Sequence, residues 1–162
     1  MKIPRCLAAL LIAASALTLA SSASARDIVS FKSRYGPGTI VVATHARQLF
    51  FVLKGNRAIR YPVGVGKAGM AWRGRAYIAQ KNIRPAWVRV PGKTRTIPGG
   101  SPRNPMGAAA MGLDRGNYAI HGTNNPGSIG GFVSHGCIRM YNADIMDLYR
   151  RVPLGTEVVV LR

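Results

Sequence analysis

From Thr39 onward the chain is broken by Gly, Pro or Asn every few residues, and the runs between those breaks are short and rich in β-branched and aromatic side chains. Residues 39–43, 48–53, 58–63, 75–80, 86–90 and 157–161 are all of strand length, and such runs bounded by turn residues read as strands. Lys54-Gly55-Asn56 carries hairpin chemistry between two of them. Residues 108–113 and 118–120 bring the chain to His121 at a strand end. One stretch alone has helical spacing: Ile145, Leu148, Tyr149 and Val152 fall at i, i+3, i+4 and i+7. Asn142 is placed to cap that helix, and Pro153 and Gly155 end it. One helix among many strands predicts a mainly β, single-domain protein.

The N-terminus has the pattern of an export address. A short basic region with Lys2 and Arg5 precedes an uncharged, mostly apolar run over residues 7–20, and Ala23-Ser24-Ala25 is a small-x-small cleavage site. The apolar run is shorter than the roughly 20 residues that span a bilayer. Cys6 lies before it, where a lipid-bearing cysteine would follow it. The expected division is a signal peptide over 1–25, a loose polar arm over 26–38 and one domain over 39–162, exported to the periplasm or cell envelope. No membrane span is expected in the mature chain, which is expected to be a monomer.

Cleavage removes two cations and no acid, taking the formal charge from +18 to +16. The basic residues are spread along the chain without a block or a nucleic-acid motif, so a nucleic-acid partner is not expected. The surplus fits either a solvated surface or attraction to an anionic partner such as a carboxylate-rich wall polymer. Cleavage also leaves Cys137 as the one cysteine, so no internal disulfide forms. A single thiol in an oxidising compartment is a liability. Taken alone it would read as a small buried hydrophobe. Its setting argues otherwise: His135 and Gly136 precede it, and a Gly-rich loop connects it to His121. A thiol with an imidazole in reach is the minimum equipment for nucleophilic acyl transfer. Two His and one Cys are also zinc ligands, but there is no second mature Cys and no helical His pair, so neither a metal nor a cofactor is expected.

The remaining features carry less. His45 reads as a surface or strand-end residue, and Trp72 and Trp87 as core or rim packing. Residues 64–69 lack the spacing of a phosphate loop. Residues 91–105 form a long Gly/Pro/Arg-rich loop of the kind that is often functional.

His121-Gly122-Thr123-Asn124, followed by Ser134-His135-Gly136-Cys137-Ile138-Arg139-Met140 and Asn142, resembles the active-site pattern of the L,D-transpeptidase catalytic-domain family, bacterial enzymes that remodel peptidoglycan. Asn104-Pro105-Met106-Gly107 and residues 152–156 resemble flanking family segments. Met70-Ala71-Trp72-Arg73-Gly74 departs from a Thr-Pro-containing stretch that many members carry. The resemblance implies a β-sandwich or barrel with one or two short helices. It makes Cys137 the nucleophile, attacking an L-centred carbonyl of a stem peptide, releasing a D-amino acid and forming a thioester.

In the same reading His121 is the general base and acid, holding the thiol near thiolate, and the Gly122 carbonyl orients its ring. His135 is assigned to supporting hydrogen bonds near the oxyanion. The N–H groups of Gly136 and Cys137 are the oxyanion donors. Arg139 binds a substrate carboxylate. Ser134 and Asn124 are further substrate-side residues, with Ser134 also fixing the loop. The partners are peptidoglycan stem peptides and an acceptor amine on another stem or on a wall-attached protein. Water as acceptor gives a carboxypeptidase or crosslink hydrolase with the same site, and a non-catalytic basic wall-binding protein is the reading from another class. The export reading predicts that the secreted protein begins at Arg26 on N-terminal sequencing; an intact Met1 there contradicts it.

Overall fold

The computed structural model describes residues 26–88 and 96–162. The signal-peptide expectation and the strand expectation at residues 89–90 lie outside the described residues. The strands are β1 (Asp27–Ser30), β2 (Ile40–Ala43), β3 (Gln48–Leu53), β4 (Arg57–Pro62), β5 (Val65–Gly66), β6 (Gly74–Ile83), β7 (Trp87–Val88), β8 (Thr96–Ile97), β9 (Ala109–Leu113), β10 (Ala119–His121), β11 (Phe132–Ser134), β12 (Ile138–Arg139) and β13 (Glu157–Leu161). Helix α1 (Asn142–Arg151) lies between the last two.

Nine strands form one sheet in the order β1-β4-β3-β2-β13-β6-β9-β10-β12. β6 belongs to both halves of it. Its first residues pair with β13 and its later ones with β9, with a register break between Ile78 and Gln80. Such breaks bend a strand, and the two halves enclose a common core. Ile40, Leu49 and Tyr61 come from one half, Met111, Ile120 and Ile138 from the other, and Ile145 and Leu148 from α1. The sheet ends at β1 and β12 instead of closing, so the mainly β expectation holds in its sandwich form.

The hairpin falls where the turn residues place it, with Gly55 and Asn56 both at positive φ between β3 and β4. The closing run becomes a central strand, β13, parallel to β2 and antiparallel to β6. Completion of the sheet therefore waits for the C-terminus.

Two expectations are corrected. The arm is not loose. Residues 27–30 add an edge strand to β4, Phe31 stacks on Phe50 at 4.6 Å, and Asp27 pairs with Arg60 at 2.8 Å. Its polar composition suits an edge strand as well as a loop, which is why sequence alone misread it. Asn142 does not cap α1, whose first turn has no side-chain cap; its oxygen is used at the site. Within residues 91–105, Thr96 and Ile97 form β8, which pairs with β7.

Candidate active site

β10 and β12 run parallel, with Ile120 opposite Ile138 and His121 opposite Arg139. Parallel neighbours need a crossover of a dozen or more residues, and the Gly-rich loop after His121 supplies it. Ile120 and Ile138 are 0% and 2% exposed and belong to the core. Side chains alternate along a strand, so His121 and Arg139 project from the opposite face. Cys137, just before β12, falls on that same face two residues from Arg139. The thiol and the imidazole thus lie on the same side of two adjacent strands.

His121 is 5% exposed, and one ring nitrogen, Nδ1, lies 2.6 Å from the Gly122 carbonyl oxygen. A carbonyl only accepts, so Nδ1 carries the proton and Nε2 is left with its lone pair. Burial lowers the imidazole pKa from 6.5 to about 4; the Gly122 and Pro105 carbonyls act weakly upward, and the Arg139 charge acts downward. Burial also raises the Cys137 thiol, against smaller lowering effects from the Ala119 backbone and Arg139. The thiol sits 3.8 Å from the Asn117 carbonyl, a contact that suits S–H as donor. Desolvation thus disfavours the charged form of each group, which runs against the expectation of a thiol held near thiolate.

The carbonyl beside His121 is itself fixed. It belongs to the Gly122–Thr123 peptide, whose N–H donates to Asn142 Oδ1 at 3.0 Å. The same oxygen accepts the Ala108 N–H at 3.0 Å. Gly122 packs so closely on that oxygen that a Cβ would collide with it. Asn104, 1% exposed, does similar work for the neighbouring loop, donating to the Pro85 and Pro98 carbonyls at 2.9 and 3.0 Å and accepting from Met106 N–H at 2.9 Å. It thereby sets the turn that holds Pro105 near the ring. Sequence reasoning left Asn104 without a role, and its place in a segment that resembles the family was its signal.

The nucleophile loop is held from two sides. Ser134 is 2% exposed; its hydroxyl donates to the Cys137 carbonyl at 2.6 Å and accepts the Gly136 N–H at 3.1 Å. Both hydrogen bonds stay inside the loop, which is the loop-fixing role expected of Ser134. The Gly136 N–H is likewise occupied, which corrects its assignment as an oxyanion donor. Among the described hydrogen bonds none uses the Cys137 N–H. Gly136 has φ +121°, and a Cβ there would strike the Tyr118 ring. That ring stacks on Trp72 at 5.6 Å, and the Trp72 indole N–H donates to the Gly136 carbonyl at 3.1 Å. The stretch that departs from the family pattern thus supplies a clamp on the glycine before the thiol.

The other assignments fare differently. His135 is exposed and takes part in none of the hydrogen bonds among the described residues, while Ser134 and Gly136 on either side of it are buried. Asn124 is exposed on the rim of a cleft of about 260 Å³ that Arg84, Ser101, Thr123 and Asn142 also line. Arg139 is half-buried, and its Nε is buried without a hydrogen-bond partner. Its backbone exchanges hydrogen bonds with Gly64 at 2.8 and 2.9 Å. The guanidinium is therefore anchored at its base, while one donor remains unused.

A two-layered β fold with a buried imidazole and a half-buried thiol on one face of paired strands defines the class. The sequence profile of the L,D-transpeptidase catalytic domain matches residues 37–160, and the chain belongs to that family of enzymes. It is 34% identical over 131 residues to YqjB of Bacillus subtilis, which bears the L,D-transpeptidase name, covering 77% of this chain and 72% of that one. It is 37% identical over 135 residues to the similarly named YbiS of Escherichia coli, covering 74% of this chain but 43% of that one. Among solved structures, L,D-transpeptidase 3 from Mycobacterium tuberculosis superposes with a TM-score of 0.63 at 15% identity, over 78% of this chain and 62% of that one. An L,D-transpeptidase from Mycobacterium smegmatis gives 0.61 at 20% identity, over 76% and 58%. At such identities the structures establish the fold. No helix among the described residues is long and apolar enough to cross a membrane.

The neutral, buried imidazole has a consequence for stability. Between pH 6.5 and about 4 the unfolded chain binds a proton at residue 121 that the folded chain refuses. The contribution is present above pH 6.5 and is lost as pH falls through that window. From pH 7 to 4.5 the wild type should lose about 2 to 3 kcal/mol more than His121→Asn in urea unfolding; equal losses contradict the assignment.

Proposed function

We propose that this protein is an exported L,D-transpeptidase acting on peptidoglycan stem peptides through a Cys137 thioester, the mature enzyme starting at Arg26 with its catalytic domain over residues 39–162. The observation that carries the reading is the pairing of β10 with β12, which sets Cys137 and His121 on one face while the Gly122 carbonyl fixes the ring tautomer. With the pair neutral at rest, the proton leaves the thiol as sulfur attacks, and His121 Nε2 takes it. Sγ bonds to the carbonyl carbon of the L-residue. The C–N bond to the D-amino acid then breaks, and the proton passes from Nε2 to the departing amine. An acceptor amine attacks the thioester, gives its proton to Nε2, and the thiol is re-formed when Nε2 returns it.

The negative charge on the carbonyl oxygen needs donors aimed at it. With the Gly136 N–H engaged by Ser134, the Cys137 N–H takes that role. Arg139, half-buried and close enough for its charge to act on both His121 and Cys137, receives a stem-peptide carboxylate. Asn142 acts through the Gly122–Thr123 peptide as a positioning residue, because it holds the N–H end of the unit whose carbonyl end holds the ring.

Incubation with a purified tetrapeptide stem tests this. Crosslinked dimers that have lost one D-amino acid are expected by mass, together with a thioester on Cys137. Cys137→Ala should keep the melting temperature and lower turnover by at least about 10⁴-fold. Full turnover in that variant ends the proposal, and shortened tripeptide stems without dimers would make water the acceptor.

A further inference from the structure

The sequence gives no block of cations, yet the fold gathers some. Arg34, Arg73, Arg75 and Arg162 line one cleft of about 490 Å³, together with Tyr35 and the end of β13. All four are exposed. Among the described residues the carboxylate paired there is Glu157, 2.9 Å from Arg75. The other described ion pairs engage Asp27 and Asp147 elsewhere. Arg162 donates to the Ala71 carbonyl at 3.0 Å, which leaves most of its guanidinium donors open.

Arg162 also lines a second cleft of about 480 Å³, with Lys67, His45, Ala71 and Phe132. The Lys67 N–H donates to the Ser134 carbonyl at 2.9 Å, so this second cleft abuts the strand that leads into the nucleophile loop. The two clefts share Arg162, and the second reaches Phe132 on β11, the strand that runs toward the nucleophile loop. Phe132, exposed there, is faced by Arg47 at 5.2 Å.

Guanidinium groups take carboxylates through paired N–H donors. Several strung along an open cleft, instead of converging on a point, suit an extended chain bearing repeated negative charges. We propose that the arginine cleft is an anion-binding exosite that holds a carboxylate-bearing strand of the wall polymer while a stem peptide enters the thiol site. This rests on the proposed function for the identity of the polymer; the cleft itself does not. The exosite gives part of the chain's positive surplus a location, in a cleft that shares Arg162 with the one beside β11.

Binding is measured by sedimentation with purified insoluble wall, in a Cys137→Ala background so that covalent capture contributes nothing. Arg73→Gln combined with Arg162→Gln should weaken binding about tenfold at moderate salt. Arg103→Gln combined with Arg150→Gln removes the same charge away from both clefts and should weaken it less than twofold. Amidation of the wall carboxylates should reduce wild-type binding to the level of the cleft variant. Equal weakening by both variant pairs would overturn the proposal in favour of diffuse attraction. Undiminished binding to amidated wall would overturn the choice of carboxylate. Turnover is read separately: a wild type that forms no thioester yet shows cleft-dependent binding refutes the enzymatic reading and keeps the exosite, whereas thioester formation without cleft-dependent binding refutes the exosite alone.

Discussion

The pairing of Ile120 with Ile138 in the core decides where the reactive groups go. Two fully buried isoleucines fix the faces of β10 and β12, because a slip of one residue would turn them out and drive His121 and Arg139 into the core. The residues that carry chemistry are therefore oriented by apolar burial, before any polar contact is considered. The parallel arrangement then requires a long crossover, and that crossover is the loop whose glycines, staple and clamps shape the thiol's surroundings. Fold and site share one constraint.

Polar contacts refine what burial sets up. The peptide between Gly122 and Thr123 is held at its carbonyl by the imidazole and at its N–H by Asn142. Ser134 and Trp72 hold the nucleophile loop from inside and outside. A buried site of this kind orients its groups at the cost of making charged forms unfavourable. Burial disfavours imidazolium and thiolate alike. No carboxylate is among the groups that shift the imidazole, so a backbone carbonyl stands where other such sites use an acid.

Much of this was legible beforehand. The strands, the hairpin at Gly55-Asn56 and the single helix follow from β-branched runs, turn residues and a 3.6-residue period. Cys137 and His121 stand out because a lone thiol beside a glycine-flanked imidazole has few structural uses. What escaped the sequence was chiefly the partner of each polar group. Asn142 looked like a helix cap, because a local bond is the only one a linear reading can see; its partners are residues 108 and 123. Ser134 was given both a substrate-side and a loop-fixing role, and its hydroxyl is closed within its loop; His135 faces solvent, and the Gly136 N–H is already bound. The arm failed for a related reason, since an edge strand has no apolar alternation to reveal it. Arg34, the Arg73–Arg75 pair and Arg162, far apart in sequence, line one cleft only through the fold.

The account depends most on the ring of His121 being neutral, with its Nδ1 proton committed to the Gly122 carbonyl and Nε2 free for the thiol proton. Nitrogen-15 NMR of the imidazole at neutral pH reads this directly. The Nδ1-protonated tautomer, lost or mixed in Asn142→Ala and retained in Asn142→Asp, is the predicted result; an imidazolium, or a ring protonated at Nε2, would contradict it.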